Sequence, residues 1–309
     1  MTTNHKGIKV LSLFDGISIG RLALENLGIK VDRYDAYEID GPAIAISRYH
    51  FDDIVRHGDV RDLNLDDYDG YDLVCFGSPC QDFSQLNAIR RGLDGAKSSL
   101  FYYGAMCVQS GKFKHFLCEN VRMSPKCRDE INKCLGTEAV MYDSVEQAAS
   151  HRPRNYWTDV PWTAMPKAYD IDSIIEDGWF AGAEATGTLT TKAEWQEERC
   201  YRRMISTWNT NVVFRENPNG IYLHGSNQAL INYYPRLKLG QRYDIRGLRP
   251  TEMELLMNMP RDYTKYSKRT YKLKGDVISE TGMYSRVHAI GNSWTVTVIE
   301  DIFRAMFLR

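Results

Sequence analysis

Apolar residues dominate Ile8–Phe14 (IKVLSLF), a run whose length and composition predict a short buried strand. DGISIG follows as a glycine turn, and RLALENLG then places its leucines at helical spacing and closes on Gly28. The alternation continues. Val31–Ile39 predicts a second strand with Glu38 and Asp40 at its end, and PAIAISRYHF predicts a helix starting near Pro42. A short polar segment ending in GDVRDL comes next, with Asp59 at the end of a third strand. YDLVCFGSPC then predicts a strand running into a Gly-Ser-Pro turn, and HFLCENV a further strand. Strands alternating with helices predict an α/β protein with a parallel, doubly wound, Rossmann-like sheet.

After Val160 the pattern changes. From Pro161 to Ile245 hydrophobicity is irregular, Trp and Tyr are scattered among polar residues, and loop signals such as ENPNG occur, which predicts a smaller separate lobe. Helical order resumes at RPTEMELLMNMP, with Pro250 near its start and Pro260 stopping it. The tail SWTVTVIEDIFRAMF is expected to begin as a strand or turn and end as a helix. Residues 1–160 and 246–309 are therefore expected to form one sheet-based domain, and 161–245 the second lobe.

Length and composition sharpen this. At 309 residues, with 43% hydrophobic and 26% charged, the chain can bury a substantial core and resembles an ordinary soluble protein. No apolar run approaches a bilayer span, and MTTNHKGIKV lacks the apolar core of a signal peptide. An intracellular location is expected, in cytoplasm, nucleoid or nucleus according to the host. The 7 cysteines contain no C-x-x-C pair, which argues against a disulfide framework and a zinc knuckle, and no metal site is expected. With a net charge of -1, a polyanion would have to be met by a local basic surface.

Several strand ends carry chemistry. Gly16-Ile17-Ser18-Ile19-Gly20 matches G-x-S-x-G, the hydrolase nucleophile elbow, but the first strand of a chain is the wrong place for it. The other reading is a nucleotide-type site, in which glycines open the backbone at a helix start and an acid about 20 residues on accepts from ribose hydroxyls. Glu38 stands where that acid belongs. Asp59-Val60-Arg61 could meet an adenine edge, or Asp59 could simply cap a turn. Cys80, just past a strand end in GSPC, is a candidate nucleophile or a buried small hydrophobe. Glu119 in CENV and Arg152 and Arg154 in HRPR could converge on it.

LFDGISIG, YEID, GDVRDL, GSPCQDFS, CENV, HRPRNYW, RGLRPTEMELLMNMP and HAIGNSW occur in the order typical of the DNA cytosine-C5 methyltransferases, which the chain resembles over nearly its whole length. LFDGIS, GSPC and MYDSVEQAASHRPRNYW look most like the catalytic domain of the animal de novo enzymes. One departure from the bacterial pattern is Ser150, where a glutamine would stand. The resemblance implies an S-adenosyl-L-methionine-dependent enzyme that methylates carbon 5 of a flipped cytosine through a covalent cysteine adduct. It implies Cys80 as nucleophile, Glu119 as the acid on N3 and the exocyclic amine, Arg154 on O2, and Arg152 placing the thiolate or a phosphate. For the cofactor it implies Phe14, Asp15, Gly16, Ile17 and Ser18 around the methionine portion and Glu38 on the ribose. Asp59 and Val60 would meet the adenine, with Asn292, Ser293 and Trp294 closing the site.

Double-stranded DNA is the implied partner, with no membrane; the sequence does not decide on a homo-oligomer. Candidate phosphate clamps are the stretch Lys265, Lys268, Arg269, Lys272 and Lys274, interleaved with Tyr263, Tyr266 and Tyr271. Arg236, Lys238 and Arg242 form another set, the first two alternating with Leu237 and Leu239 as on a strand face. Two alternatives remain: a transfer-RNA cytosine methyltransferase on the same fold, and a catalytically silent DNA-binding paralogue. The segment 161–245 offers no readable base code.

Overall fold

The structure, a computed structural model, describes residues 6–79, 98–167, 169–191, 199–202 and 211–308. β1 (Ile8–Leu13), β2 (Val31–Tyr37), β3 (Ile54–Gly58), β4 (Tyr71–Phe76) and β5 (Phe113–Val121) pair in parallel in the order β3-β2-β1-β4-β5. Strand periodicity divides their side chains between two cores. Val10, Leu73, Cys75 and Leu117 face the layer of α1 (Ile19–Asn26) and α2 (Gly41–His50), whereas Leu11, Leu13, Val74, Phe76 and Cys118 face α3 (Phe101–Gln109) and α4 (Pro125–Leu135). Because both faces are covered, these strands read as apolar runs and not as alternation. Asp40 starts α2, its side chain accepting from Ala43 N at 3.1 Å with Pro42 in the first turn.

The sheet is not wholly parallel. β6 (Val140–Asp143) and β7 (Pro153–Thr158) complete the order β5-β7-β6, and β7 runs antiparallel to both neighbours. The connection between β6 and β7 is too short for a parallel crossover, which needs a dozen or more residues, so β7 must reverse. This reversal places Arg154 opposite Val121, and Tyr156 opposite Glu119.

After Val160, β8 (Phe180–Ala181), β9 (Val212–Tyr222) and β10 (Arg242–Gly247), which passes the expected lobe boundary at 245 by two residues, form an antiparallel sheet with a core that includes Phe214, Leu230, Leu237 and Tyr243. Ile171, Ile174, Ile175, Leu189 and Val213 instead pack into the main core with Leu248 and Met253. The chain then returns to the large sheet through α5 (Pro250–Leu256), a hairpin of β11 (Tyr266–Tyr271) and β12 (Gly275–Glu280), α6 (Met283–Asn292) and α7 (Val296–Phe307). The tail has no strand: a turn precedes α7, whose Val296, Ile299, Ile302, Phe303 and Met306 follow helical spacing into the core.

The structure corrects the strand expected at the second basic set and shows acid partners for one member of each set. Residues 236–239 lie in turns and irregular chain and not on a strand. Arg236 donates to both oxygens of Asp172, at 2.9 and 2.5 Å, and stacks over Phe180. In the hairpin, Lys268 is paired with Asp52 and lies 4.0 Å from Asp276, while Tyr263 is a buried residue whose hydroxyl donates to Ile17 O at 2.9 Å. The hairpin rests on the C-terminal end of α2, through Arg48–Thr270 and Tyr49–Tyr266 contacts.

Candidate functional site

One cleft of about 420 Å³ opens at the carboxyl ends of β1 to β5. Its walls are the turn after β1, the ends of β2 and β3, the Gly77-Ser78-Pro79 turn after β4, Glu119–Val121 of β5, and the end of α6 from His288 to Trp294. Ligands in open α/β sheets collect at this edge, where strand order reverses between β1 and β4. Phe14, Asp15, Gly16, Ile17, Glu38, Asp59, Val60, Glu119, Arg152, Arg154, Asn292, Ser293 and Trp294 all line the cleft. Cys80 lies outside the described residues.

Ser18 is not in the lining. It is fully buried, donating its hydroxyl to Asp15 and lying 2.5 Å from Ser47 Oγ, so a serine nucleophile presented to solvent is excluded. Asp15 likewise turns its carboxylate inward, accepting from Ser18 and from the Tyr34 hydroxyl at 2.8 Å, and burial pushes its carboxyl up. Phe14, Gly16 and Ser18 have left-handed φ of 59°, 57° and 61°. Two of these are not glycine and each costs on the order of 1 kcal/mol, so the inward Asp15–Ser18–Tyr34 bonds are what hold the turn in shape.

Glu38 fixes the outer side of the same turn. Its Oε2 accepts from Gly16 N at 2.8 Å, and its Oε1 from Ile39 N and Asp40 N, both at 2.8 Å. Burial raises this carboxyl above its ordinary value while the three backbone donors pull it down. Three bonds leave an acceptor position of the carboxylate open. At the next strand end Asp59 accepts from Arg61 N at 3.0 Å and forms an ion pair with the Arg61 guanidinium, and those bonds lower its carboxyl to about 2. Two acids on neighbouring strand ends, beside Phe14 and Val60, suit a ribosyl-adenine ligand: acceptors for ribose hydroxyls and an amine, with apolar contact for the base.

At the other end of the cleft, Glu119 is almost buried, and both its oxygens have donors. Arg154 Nε lies 3.0 Å from Oε1, and the Trp294 indole N–H donates to Oε2 at 3.0 Å. Arg152 does not point at solvent: its guanidinium donates to the carbonyls of Leu189, Gly291 and Ser293 at 3.3, 3.0 and 2.6 Å. It therefore ties the end of α6 to β7. Asn120 Nδ2 donates to Ser78 O at 3.2 Å and Ser78 Oγ at 3.1 Å, anchoring the turn that leads to Cys80.

Sequence reasoning missed the roles of Asn120, of Trp294 as a donor to Glu119, and of Glu254. Asn120 was legible in principle, being a polar residue at the end of a buried strand. Glu254 was not: inside an amphipathic helix it reads as a solvated residue, yet it is wholly buried. It accepts from Asp262 N at 2.8 Å, Thr264 N at 2.9 Å and Arg286 Nη2 at 2.8 Å, pinning the approach to α6.

Residues 8–135 match the sequence model of the family described as C-5 cytosine-specific DNA methylase. That segment belongs to this family. Among similar proteins, the orphan methyltransferase M.Rho11sI of Bacillus phage rho11s is 31% identical over 117 residues, which are 37% of this chain and 23% of the phage protein. The DNA (cytosine-5)-methyltransferase DRM1 of Arabidopsis thaliana is 36% identical over 110 residues, 31% of this chain and 18% of the plant protein. The chain thus spans under a quarter of the length of these two relatives. The Entamoeba histolytica methyltransferase EhMeth has the same fold, with a TM-score of 0.67 at 14% identity and 98% of both chains covered. The methylase segment carries every cleft-lining strand end from Phe14 to Val121, while Arg152, Arg154 and His288–Trp294 come from outside it. Among the described residues, no helix is long and apolar enough to cross a membrane, and no group of three or more His, Cys, Asp or Glu could hold a metal ion.

Proposed function

We propose that this chain is an S-adenosyl-L-methionine-dependent DNA cytosine-C5 methyltransferase. The observation that carries the reading is a single cleft in which the doubly bonded Glu119 carboxylate stands across from the acids Glu38 and Asp59, with the chain leading through Pro79 to Cys80. The cofactor, when bound, supplies an electrophilic methyl group; Glu38 would accept from its ribose, Asp59 and Val60 would meet its adenine, and Phe14, Gly16, Ile17 and Asn292 would border it.

Carbon 5 of cytosine is not nucleophilic while the ring is aromatic. The Cys80 thiolate forms a bond to carbon 6, and the displaced electron pair makes carbon 5 able to take the methyl group. Loss of the carbon 5 proton then expels the thiolate and restores the ring. Glu119 engages N3 and the exocyclic amine, offsetting the charge that builds as sulfur adds, and Arg154 holds O2. Arg152 keeps the Gly291–Ser293 segment in place. A base in a duplex must be flipped to reach such a cleft, at a cost of a few kcal/mol, and the segment 161–245 is assigned as the lobe that grips the target strand.

The test is methyl transfer from labelled S-adenosylmethionine to duplex DNA and, in parallel, to transfer RNA, with bisulfite sequencing of the product. Transfer to carbon 5 of cytosine in DNA, abolished by Cys80→Ala while cofactor binding survives, is the expected result. Transfer to transfer RNA alone would move the activity to RNA, and no transfer with cofactor bound would leave a silent paralogue. Near wild-type transfer by the alanine variant would refute the covalent step.

A further inference from the structure

Trp294 sits where the two halves of the cleft meet. It follows α6, lines the cleft, and its indole is packed against two glycines. A Cβ built on Gly77 would lie 3.0 Å from Trp294 Nε1 and 3.3 Å from Glu119 Oε2, and one on Gly20 would lie 3.6 Å from Trp294 Cζ3. The first of these would crowd the indole while the second is ordinary contact, so Gly77 leaves the space through which the indole N–H reaches the carboxylate.

We propose that Trp294 is a positioning residue for Glu119, and that its indole N–H makes presentation of the acid to the target base depend on the cofactor-lining segment Gly291–Trp294. This inference rests on the methyltransferase reading. With only Arg154 Nε on Oε1, the carboxylate could still swing about its terminal bond. The indole donor on Oε2 stops that rotation from the opposite side, leaving one oxygen to accept from the exocyclic amine of a base and the other to share a proton with its N3. The segment bearing Trp294 is fastened by Arg152 to β7, the strand that also carries Arg154. Anything that orders 291–294, as a cofactor bordering Asn292 would, orders Glu119 in the same step. Cofactor and cytosine should therefore each favour binding of the other.

The experiment uses the full chain labelled with nitrogen-15, with the Trp294 indole resonance assigned by its loss in Trp294→Phe. Glu119→Gln should move that resonance upfield, since the donor loses a charged acceptor. Trp294→Phe, which keeps a ring in place, should lower kcat at saturating cofactor by about tenfold, the scale of one bond to a charged group, while the dissociation constant of S-adenosylhomocysteine changes less than about threefold. An unmoved indole resonance in Glu119→Gln would overturn the proposal. So would a Trp294→Phe enzyme with wild-type kcat and weakened cofactor binding, which is the behaviour of a simple cofactor contact. Wild-type transfer to cytosine is the control on the functional reading: if it is absent that reading fails, and the resonance alone decides the Trp294–Glu119 link.

Discussion

Replacing Glu38 by Gln tests the cofactor half of the cleft. The carboxylate accepts three backbone bonds, two on Oε1 and one on Oε2, all at 2.8 Å. A glutamine has a single acceptor oxygen. Its best arrangement keeps that oxygen on Ile39 and Asp40, so its amide N–H₂ is left facing the Gly16 N–H, donor against donor. One bond to a charged acceptor is lost outright, about 1.5–3 kcal/mol, and the other two weaken as the charge disappears. The turn from Phe14 to Ser18, already strained at two non-glycine residues, loses its outer brace. A ribose hydroxyl would lose an ionised acceptor of the same strength, so the dissociation constant of S-adenosylhomocysteine should rise by about 10- to 150-fold. Isothermal titration gives that ratio, and urea unfolding gives the accompanying stability loss of about 2–3 kcal/mol. A folded Gln variant that binds within about threefold of wild type would refute the placement of the ribose on Glu38.

Glu254→Gln leaves Arg286 without its buried charge partner, and calorimetry should show a loss of about 3–5 kcal/mol; a change below about 1 kcal/mol would mean that Asp262, 3.5 Å from Arg286, suffices as its partner. Lys272→Ala with Lys274→Ala should leave the salt dependence of DNA binding unchanged, because the hairpin is attached to α2 at its C-terminal end while the cleft is lined by Ile39, Asp40 and Ala43 at the other, about 15 Å along the helix. Arg122→Ala, at an exposed residue next to the cleft-lining Val121, should instead reduce the slope of log affinity against log salt by about 0.9. Asp35 is buried, which alone would raise its carboxyl, but bonds from Arg33, Tyr71 and His57 outweigh this and hold it below its ordinary value. Its stabilising contribution is therefore present above the unfolded-state value and lost as pH falls through the lowered one. Asp35→Asn should flatten the acid limb of stability measured below about pH 4, and an unchanged limb would count against that network.

The strand ends were legible in the sequence because parallel strands covered on both faces are written as short apolar runs, and each strand from β1 to β5 ends at a residue that lines the cleft or one position before it. Side-chain direction was not legible. Asp15 and Ser18 stand in the middle of the turn motif, and nothing in its spelling says that the Asp15 carboxylate and the Ser18 hydroxyl turn inward to each other while Gly16 stays at the cleft. The surroundings of the basic stretch from Lys265 to Lys274 were hidden for a similar reason: charge density along a chain does not reveal that Lys268 meets Asp52, more than two hundred residues away, or that the stretch is a hairpin packed on the C-terminal end of α2. Partners of that kind are set by tertiary contact, to which a local pattern is blind.

The direction of β7 matters most to the site and was the least visible, since a strand's periodicity is the same read either way. As the strand runs, Arg154 lies opposite Val121 and Thr158 opposite Leu117. Were β7 parallel to β5 in the same position, Arg154 would fall four residues lower, about 13 Å from its present place at roughly 3.3 Å per residue, opposite Leu117 on the core side of Glu119 instead of opposite Val121 at the cleft. The reversal comes from the short connection between Asp143 and Pro153, which cannot make a parallel crossover. The same connection ends at Arg152, whose backbone N–H donates to Asp143 Oδ1 at 2.7 Å and whose guanidinium fastens the segment before Trp294. A single tight link in the chain thus sets the position of the arginine on one oxygen of Glu119 and, through Arg152, of the indole on the other.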